Sequence, residues 1–240
     1  MSFAVVAAAA VGAGIIQSVT GFGAGIFLML FIPYFFDMIA APALSSAICL
    51  GLSVSLSWKF RKQIQWKACI PPTLVYVVCS VGTIQMVKNL DLDLVTLAFG
   101  LFLVVLSAYF LMFSGRVAFH ANWKTAVVCS VISGVCSGLF GIGGPLMALY
   151  FVSAIRDKEE YIGTIQFLFA STGLLNLATR MLNGIYTIDL LPITVLGFVG
   201  ITVGKKIGLK ILHLLDGEKM KKLVYAYVGI SGILTVVQQL

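Results

Sequence analysis

Eight apolar blocks follow one another along this chain, with only short polar segments between them. A helix needs roughly 20 predominantly apolar residues to cross a bilayer, and most of the blocks reach that length. Only 10% of the 240 residues are charged, whereas a soluble domain carries about 25%. The chain is therefore expected to be all-α and to form one polytopic membrane domain over residues 1–240. The blocks cover approximately residues 3–36, 38–58, 68–87, 94–113, 125–153, 161–182, 190–204 and 223–238.

The first and fifth blocks are each interrupted by a glycine-rich stretch. The first stretch covers residues 17–25 and reads QSVTGFGAG, and the second covers residues 136–145 and reads CSGLFGIGGP. Glycine weakens the interior of a helix by about 1 kcal/mol relative to alanine. Proline, in contrast, suits the first turn of a new helix. We therefore expect each helix to break at its glycines, with a half-helix restarting at or near Pro145 in the fifth block.

The eight blocks fall into two sets of four that resemble each other. The two glycine stretches match at an offset of 118 residues, and Lys59 recurs as Arg180 at an offset of 121. Internal repetition of this kind is common in transporters, where each repeat is a structural unit. The sequence therefore predicts two repeats, one in residues 1–116 and the other in residues 122–240.

The basic residues distinguish two paths through the membrane. If all eight blocks cross, seven basic residues lie on one side and nine on the other, although cytoplasmic loops normally carry a clear excess. If the first and fifth blocks are hairpins that enter and return, 14 of the 16 share one side, in segments 59–67, 116–124, 156–158 and 205–222. This arrangement is favoured over a long helix kinked at glycine. Each repeat then contains a hairpin and three transmembrane helices, so the two repeats are inverted relative to each other.

The broken helices are candidates for a binding site. A break at membrane depth leaves backbone groups that lipid cannot satisfy, so it persists only beside protein, water or a ligand. The free N–H groups of a restarting helix favour an anion. The competing interpretation is that the glycines merely let helices pack closely. The candidate substrate-binding residues are Ser18, Thr20, Gly21, Phe22, Gly23, Gly25, Ser137, Gly138, Phe140, Gly141, Gly143, Gly144, Asn176 and Arg180.

Each candidate has an expected role. The backbone N–H groups of residues 21–25 and 141–144 would hold the anion, and the neighbouring hydroxyl groups would add donors. Asn176 and Arg180 are four residues apart and therefore share one face of a helix. Arg180 is expected either to attract anions from one membrane face or to extend to the interface.

The positions of the acidic residues bear on the chemistry. All nine carboxylates lie in loops or at block ends, so the interior is neutral or positive, which suits an anion better than a cation. Both histidines lie in polar segments, and no metal-ligand spacing occurs. We therefore expect no enzyme activity, no catalytic residue, no metal and no cofactor. The basic clusters between apolar blocks orient the chain in the bilayer and do not indicate nucleic-acid binding.

Three segments carry a resemblance to a known family. They are residues 18–25, residues 138–145, and the stretch from Arg180 through Asn183 and Gly184 to Asp189. In these segments, and over essentially its whole length, the chain resembles the sulfite exporter TauE/SafE family. The resemblance implies an inner-membrane permease for small sulfur-containing anions such as sulfite, sulfoacetate or other sulfonates, often in the export direction.

Residues and resemblance together favour a secondary transporter that exports a small anion such as sulfite or an organosulfonate. The anion would bind near the membrane midplane at the two glycine breaks. The alternatives are an anion channel and a non-transporting membrane scaffold. The expected location is the inner cell membrane. The expected partners are the lipid bilayer and the anion, and the oligomeric state considered is a homodimer.

Overall fold

The computed structural model describes residues 2–37, 39–86 and 121–216, together with isolated positions between 91 and 104 and between 219 and 230. The blocks expected at residues 94–113 and 223–238 lie mostly outside the described residues. The described part of the chain is helical and contains no β-strand. Its continuous ranges contain α1 (Ser2–Thr20), α2 (Ala24–Met29), α3 (Ala40–Lys59), α4 (Trp66–Met86), α5 (Trp123–Phe140), α6 (Gly144–Ala154), α7 (Lys158–Leu182) and α8 (Leu191–Leu214). Short 3₁₀ turns occupy Ile32–Tyr34, Arg61–Gln63 and Ile188–Leu190.

Six helices among the described residues are long and apolar enough to cross a membrane, namely α1, α3, α4, α5, α7 and α8. The predicted all-helical, polytopic fold is thus confirmed for this part of the chain. Local signals fix two of the helix starts. Asn122 and Thr125 form a reciprocal capping box before α5, and the Asp157 carboxylate accepts hydrogen bonds from the first amides of α7.

Both glycine stretches break the helix, as the sequence predicts. After α1, the backbone enters the left-handed region at Gly21 (φ 84°) and again at Gly23 (φ 95°). After α5, it does so at Gly141 (φ 68°). Only glycine adopts these angles without strain. The new helix α6 begins at Gly144, with Pro145 in its first turn, so the predicted restart near this proline is confirmed.

The chain folds back on itself at each break. Ser130 in α5 and Met147 in α6 are 17 residues apart, yet Ser130 Oγ lies 3.6 Å from Met147 Sδ. In a continuous helix these residues would be about 25 Å apart. At the first break, a methyl group placed on Gly12 of α1 would lie 2.7 Å from the ring of Phe27 in α2. Each glycine-broken block is therefore a hairpin, not a kinked helix.

The arms of the hairpins are unequal, which the sequence did not indicate. The first arms contain 19 and 18 residues, whereas the returning arms contain 6 and 11. Packing explains the long first arm of the first hairpin. Gly200, Gly204 and Gly208 of α8 lie directly against the backbone of α1, and such small-residue contacts hold two helices together over their length.

Hydrogen bonds between distant segments gather the basic segments at one end of the bundle. The backbone N–H of Gln65 donates to Thr164 Oγ1 at 3.0 Å, which joins the start of α4 to the start of α7. Lys158 Nζ donates to the carbonyl oxygen of Leu215 at 2.7 Å, which joins the start of α7 to the end of α8. We call this the basic end of the bundle.

Helix α5 also starts at the basic end. Gly134 of α5 packs against the backbone of Tyr76 in α4, and Gly138 packs against that of Ser80. The contacts advance by four residues on both helices, so α4 and α5 run parallel. The segments grouped by the charge count therefore share one end, as far as they are described. Eight alternating crossings would place the starts of α4 and α7 at opposite ends, so that path is wrong.

Single cysteines at the two ends of α7 test this arrangement in the membrane. In a background without the five native cysteines, Asn183→Cys should react with an impermeant thiol reagent added outside the cell, because the basic end is expected to face the cytoplasm. Arg156→Cys should react only after permeabilisation. Labelling of Arg156→Cys alone from outside would contradict the predicted orientation.

Candidate functional site

A pocket of about 580 Å³, including its open mouth, lies between the two breaks. One wall is the middle of α7, where Phe169, Thr172, Gly173 and Asn176 face the cavity. Because these residues lie near the midpoint of a 25-residue helix, the pocket is near the middle of the bundle. Helices α3, α4 and the two hairpins complete it.

The two breaks meet at this pocket. A methyl group on Gly25 would lie 3.0 Å from the carbonyl oxygen of Gly141, and one on Gly144 would lie 3.1 Å from Phe22. At Gly143 a methyl group would overlap the Tyr76 hydroxyl. The glycines therefore allow two hairpin tips and α4 to touch, and a longer side chain at any of the three would push them apart.

Half of the predicted binding residues line the pocket, and half do not. Those that line it are Gly23, Gly25, Ser137, Gly141, Gly143, Gly144 and Asn176. Ser18, Thr20, Gly21, Phe22, Gly138, Phe140 and Arg180 lie outside its lining.

The residues outside the lining have structural contacts instead. Ser18 lies against Gly208 of α8, and the Thr20 hydroxyl donates to the carbonyl of Ile16 at 2.8 Å. Phe22 meets the ring of Tyr227 edge-on, with centroids 5.5 Å apart. These positions connect the hairpins to their neighbours and do not offer a donor to the cavity.

Side-chain donors satisfy the backbone carbonyls of the first break. Tyr161 Oη donates to Thr20 O at 2.7 Å, and Gln166 Nε2 donates to Gly21 O at 2.8 Å. Tyr227 Oη donates to Gly23 O at 2.8 Å. Since a buried carbonyl without a partner is costly in an apolar environment, these bonds stabilise the tip.

Arg180 satisfies the carbonyls of the second break. Its guanidinium donates to Gly138 O at 2.8 Å and to Ser137 O at 3.4 Å. A positive charge is favourable there because the C-terminal end of α5 carries the negative end of the helix dipole. The side chain is only 1% exposed, so the expectation that it extends to an interface is wrong, whereas the attraction of anions by its charge stays a prediction. Its burial beside the break could not be read from its place at a block end.

The lining of the pocket is electrically neutral in its side chains. It contains the polar side chains Gln17, Ser46, Ser53, Tyr76, Ser137, Thr172 and Asn176, and no carboxylate or cation lines it among the described residues. The first turns of α2 and α6 contribute backbone N–H groups that have no partner within their own helix. The pocket therefore offers unpaired backbone donors beside neutral side chains, whereas the nearby carbonyls of Thr20, Gly21 and Gly138 are already bonded.

Several lining residues were not predicted. Ser46, Cys49, Leu50 and Ser53 form one stripe of α3, at the spacing of a helix face. Gln17 is the first residue of the first glycine stretch but was not selected as a candidate. Two serines at seven-residue spacing in an apolar block are a usable signal for a polar stripe, whereas Tyr76 comes to the pocket only through tertiary packing.

Comparison with known families matches residues 6–235 to the family described as sulfite exporter TauE/SafE. The chain belongs to the TauE/SafE family. A TauE/SafE relative is the probable membrane transporter protein of Methanocaldococcus jannaschii, which is 27% identical over 244 residues, covering 92% of this chain and 90% of that protein. No solved structure matches this TauE/SafE chain. Together with its apolar helices, the match identifies a multi-pass membrane transporter.

Replacing Gln166 with leucine tests the bonds that hold the first break of this TauE/SafE protein. Gln166→Leu leaves the buried Gly21 carbonyl unpaired, so the free energy of unfolding should fall by about 1–3 kcal/mol. Unfolding of the purified protein in detergent measures the change. Ser171→Ala is the control, because the Ser171 hydroxyl bonds only the carbonyl of Phe167 in its own helix. Equal losses in both variants would contradict a special role for Gln166.

Proposed function

We propose that this protein is a secondary transporter that exports a small anion, sulfite or an organosulfonate, across the inner cell membrane. The anion binds in the pocket between the two hairpin tips. The observation that carries the proposal is a pocket without carboxylates, among its described lining residues, beside the first turns of α2 and α6, whose backbone N–H groups have no partner within their own helices. The family name supports the sulfur oxyanion class.

The hydrogen bonds at the breaks favour an anion over a metal cation. A bound sodium ion needs free carbonyl or carboxylate oxygens around it. Here the carbonyls of Thr20 and Gly21 accept bonds from side chains, as does that of Gly138. The N–H groups of the restarting helices stay available, and glycine lets an oxyanion approach them closely.

The packing between helices supports two inverted repeats. If α1–α4 form one repeat and α5–α8 the other, the α1–α8 contact is equivalent to the α5–α4 contact, and both are extensive. Helix α3 packs against its equivalent α7, and the α4–α7 contact has its counterpart in α8–α3. Rocking of one repeat against the other would then expose the pocket to each side in turn.

Two hydrogen-bonded clusters flank the pocket and are suited to act as its gates. Towards the basic end, Gln17 Nε2 donates to Ser53 Oγ at 2.9 Å and to Gln166 Oε1 at 3.1 Å. Away from that end, Asn176 Oδ1 accepts a bond from Ser80 at 2.8 Å. If the hydrogen bonds of one cluster break while those of the other remain, the pocket opens to one side of the membrane at a time, as alternating access requires. The inside-negative membrane potential would drive an anion outward.

An anion screen tests the proposed substrate class. Sulfite and alkanesulfonates should raise the thermal unfolding midpoint more than carboxylates do, since a ligand at 100 times its Kd adds about 2.7 kcal/mol of stability. Gly25→Ala should lose this gain, because its methyl group meets Gly141 O. Gly82→Ala is the control, because a methyl group at Gly82 meets no atom within 4 Å. If no anion raises the unfolding midpoint, or if only carboxylates do, the proposal is wrong.

Transport in proteoliposomes separates the carrier from its alternatives. A carrier should show saturable uptake of the stabilising anion that is stimulated by the same anion on the opposite side. Single-channel conductance would instead indicate an anion channel, and unchanged flux across the panel would indicate a scaffold. Cross-linking or light scattering of the same preparation checks the expected homodimer.

Labelling of Cys49 tests occupancy of the pocket directly. In a variant that retains only this pocket-lining cysteine, an anionic methanethiosulfonate should react faster than a cationic one, each rate being compared with that of a free thiol, because the starts of α2 and α6 carry the positive ends of their helix dipoles. Ethanesulfonate should slow the reaction; sulfite is unsuitable here because it cleaves the disulfide that forms. The control retains only Cys79, which is half-buried and outside the lining. Equal protection of both cysteines would show that the sulfonate acts elsewhere.

A further inference from the structure

The basic end carries an anchoring surface that the transport site does not use. All three tryptophans of the chain lie at this end: Trp58 at the end of α3, Trp66 at the start of α4 and Trp123 at the start of α5. They are 70%, 47% and 62% exposed. Exposed tryptophan is typical of the headgroup layer of a bilayer. The basic end therefore lies at the level of the lipid headgroups.

Three lysines converge on the seam between α3 and α8 at this level. Lys205 of α8 is half-buried, and its ammonium group donates to the Ser55 hydroxyl of α3. Lys59 lies one helical turn beyond Ser55 on α3, and Lys206 directly follows Lys205 on α8. None of the three forms an ion pair within the described part of the chain, where the salt bridge is between Lys219 and Asp216. A cluster of like charges held in place without a counter-ion favours an anionic partner.

The seam faces lipid and not the substrate pocket. Ser53 lines the pocket, and Ser55 lies two residues further, about 200° around the helix. Val54 of α3 directly precedes Ser55 and is 49% exposed, and Val203 of α8 lies three residues before Lys206 on the same helix face and is 47% exposed. This apolar surface lies on the side of the lysines that is away from the basic end. It matches a phospholipid, whose acyl chains would contact the valines while its phosphate meets the ammonium groups.

We propose that the α3–α8 seam binds the headgroup of an anionic phospholipid, with its phosphate held by Lys59, Lys205 and Lys206. Ser55 orients Lys205 towards the seam, so the site exists before the lipid arrives. Because α3 and α8 belong to different proposed repeats, a lipid bound here bridges them. The proposal does not depend on which anion the pocket transports.

Lipid titration of the purified full chain in detergent tests the proposal. Dioleoyl phosphatidylglycerol should raise the thermal unfolding midpoint at concentrations where dioleoyl phosphatidylcholine does not. Each lysine near a membrane surface contributes about fivefold to binding of an anionic lipid. Lys205→Gln should therefore weaken the apparent affinity for phosphatidylglycerol about fivefold, while Lys205→Arg keeps it. Lys206→Gln, at an exposed position that cannot disturb folding, should have a similar effect.

The control is Lys67→Gln, an exposed lysine at the same end but on α4, outside the seam. Its affinity for phosphatidylglycerol should stay within twofold of the unaltered chain. If Lys67→Gln and Lys205→Gln weaken the affinity for phosphatidylglycerol equally, the lipid is attracted by the general positive charge of this end and not by a defined site. That result would overturn the proposal. Stabilisation by inorganic phosphate equal to that by phosphatidylglycerol would identify a free-anion site instead of a lipid site. Equal effects of the two lipids would also overturn it.

Discussion

The backbone carbonyls at the two helix breaks impose the constraint on which the rest of this structure depends. In an apolar environment each of these groups needs a partner, and lipid offers none. Helix α7 supplies partners at both breaks, through Tyr161 and Gln166 at the first and Arg180 at the second. These residues extend over most of a helix about 38 Å long. One long helix therefore fixes the positions of both hairpin tips. It thereby also fixes the level along the bundle at which the pocket lies.

Close helix pairs give the hairpins their rigid bases. Glycines of α8 pack against α1, and Gly134 and Gly138 of α5 pack against α4. In each pair a first hairpin arm runs parallel to a long helix of the other proposed repeat. The short arms α2 and α6 follow these pairs through glycine turns and pack back against the first arms. Movement of a tip therefore requires either rotation at the turn or displacement of the whole pair, and the second preserves the small-residue contacts.

Much of this architecture could be predicted from residue type alone, because it follows from local or bilayer-scale physics. Apolar length indicated the helices, glycine and Pro145 indicated the breaks, and the basic residues indicated which segments share an end. The unequal hairpin arms and Tyr76 in the pocket depend on how distant helices pack, which one sequence does not encode in any short pattern. Ser18 was selected as a donor because of its neighbours in sequence, but its helix face turns it towards α8.

Lys59 and Arg180, which are equivalent in the proposed repeats, occupy different environments. Lys59 is exposed at the basic end, whereas Arg180 is buried and bonded to the second break. Charge-assisted hydrogen bonds are roughly twice as strong as neutral ones, so the bond from Arg180 to the second tip is stronger than the bond from Gln166 to the first. Both proposed gate clusters contain only neutral groups, so this difference concerns how firmly each tip is held and not how easily each gate opens.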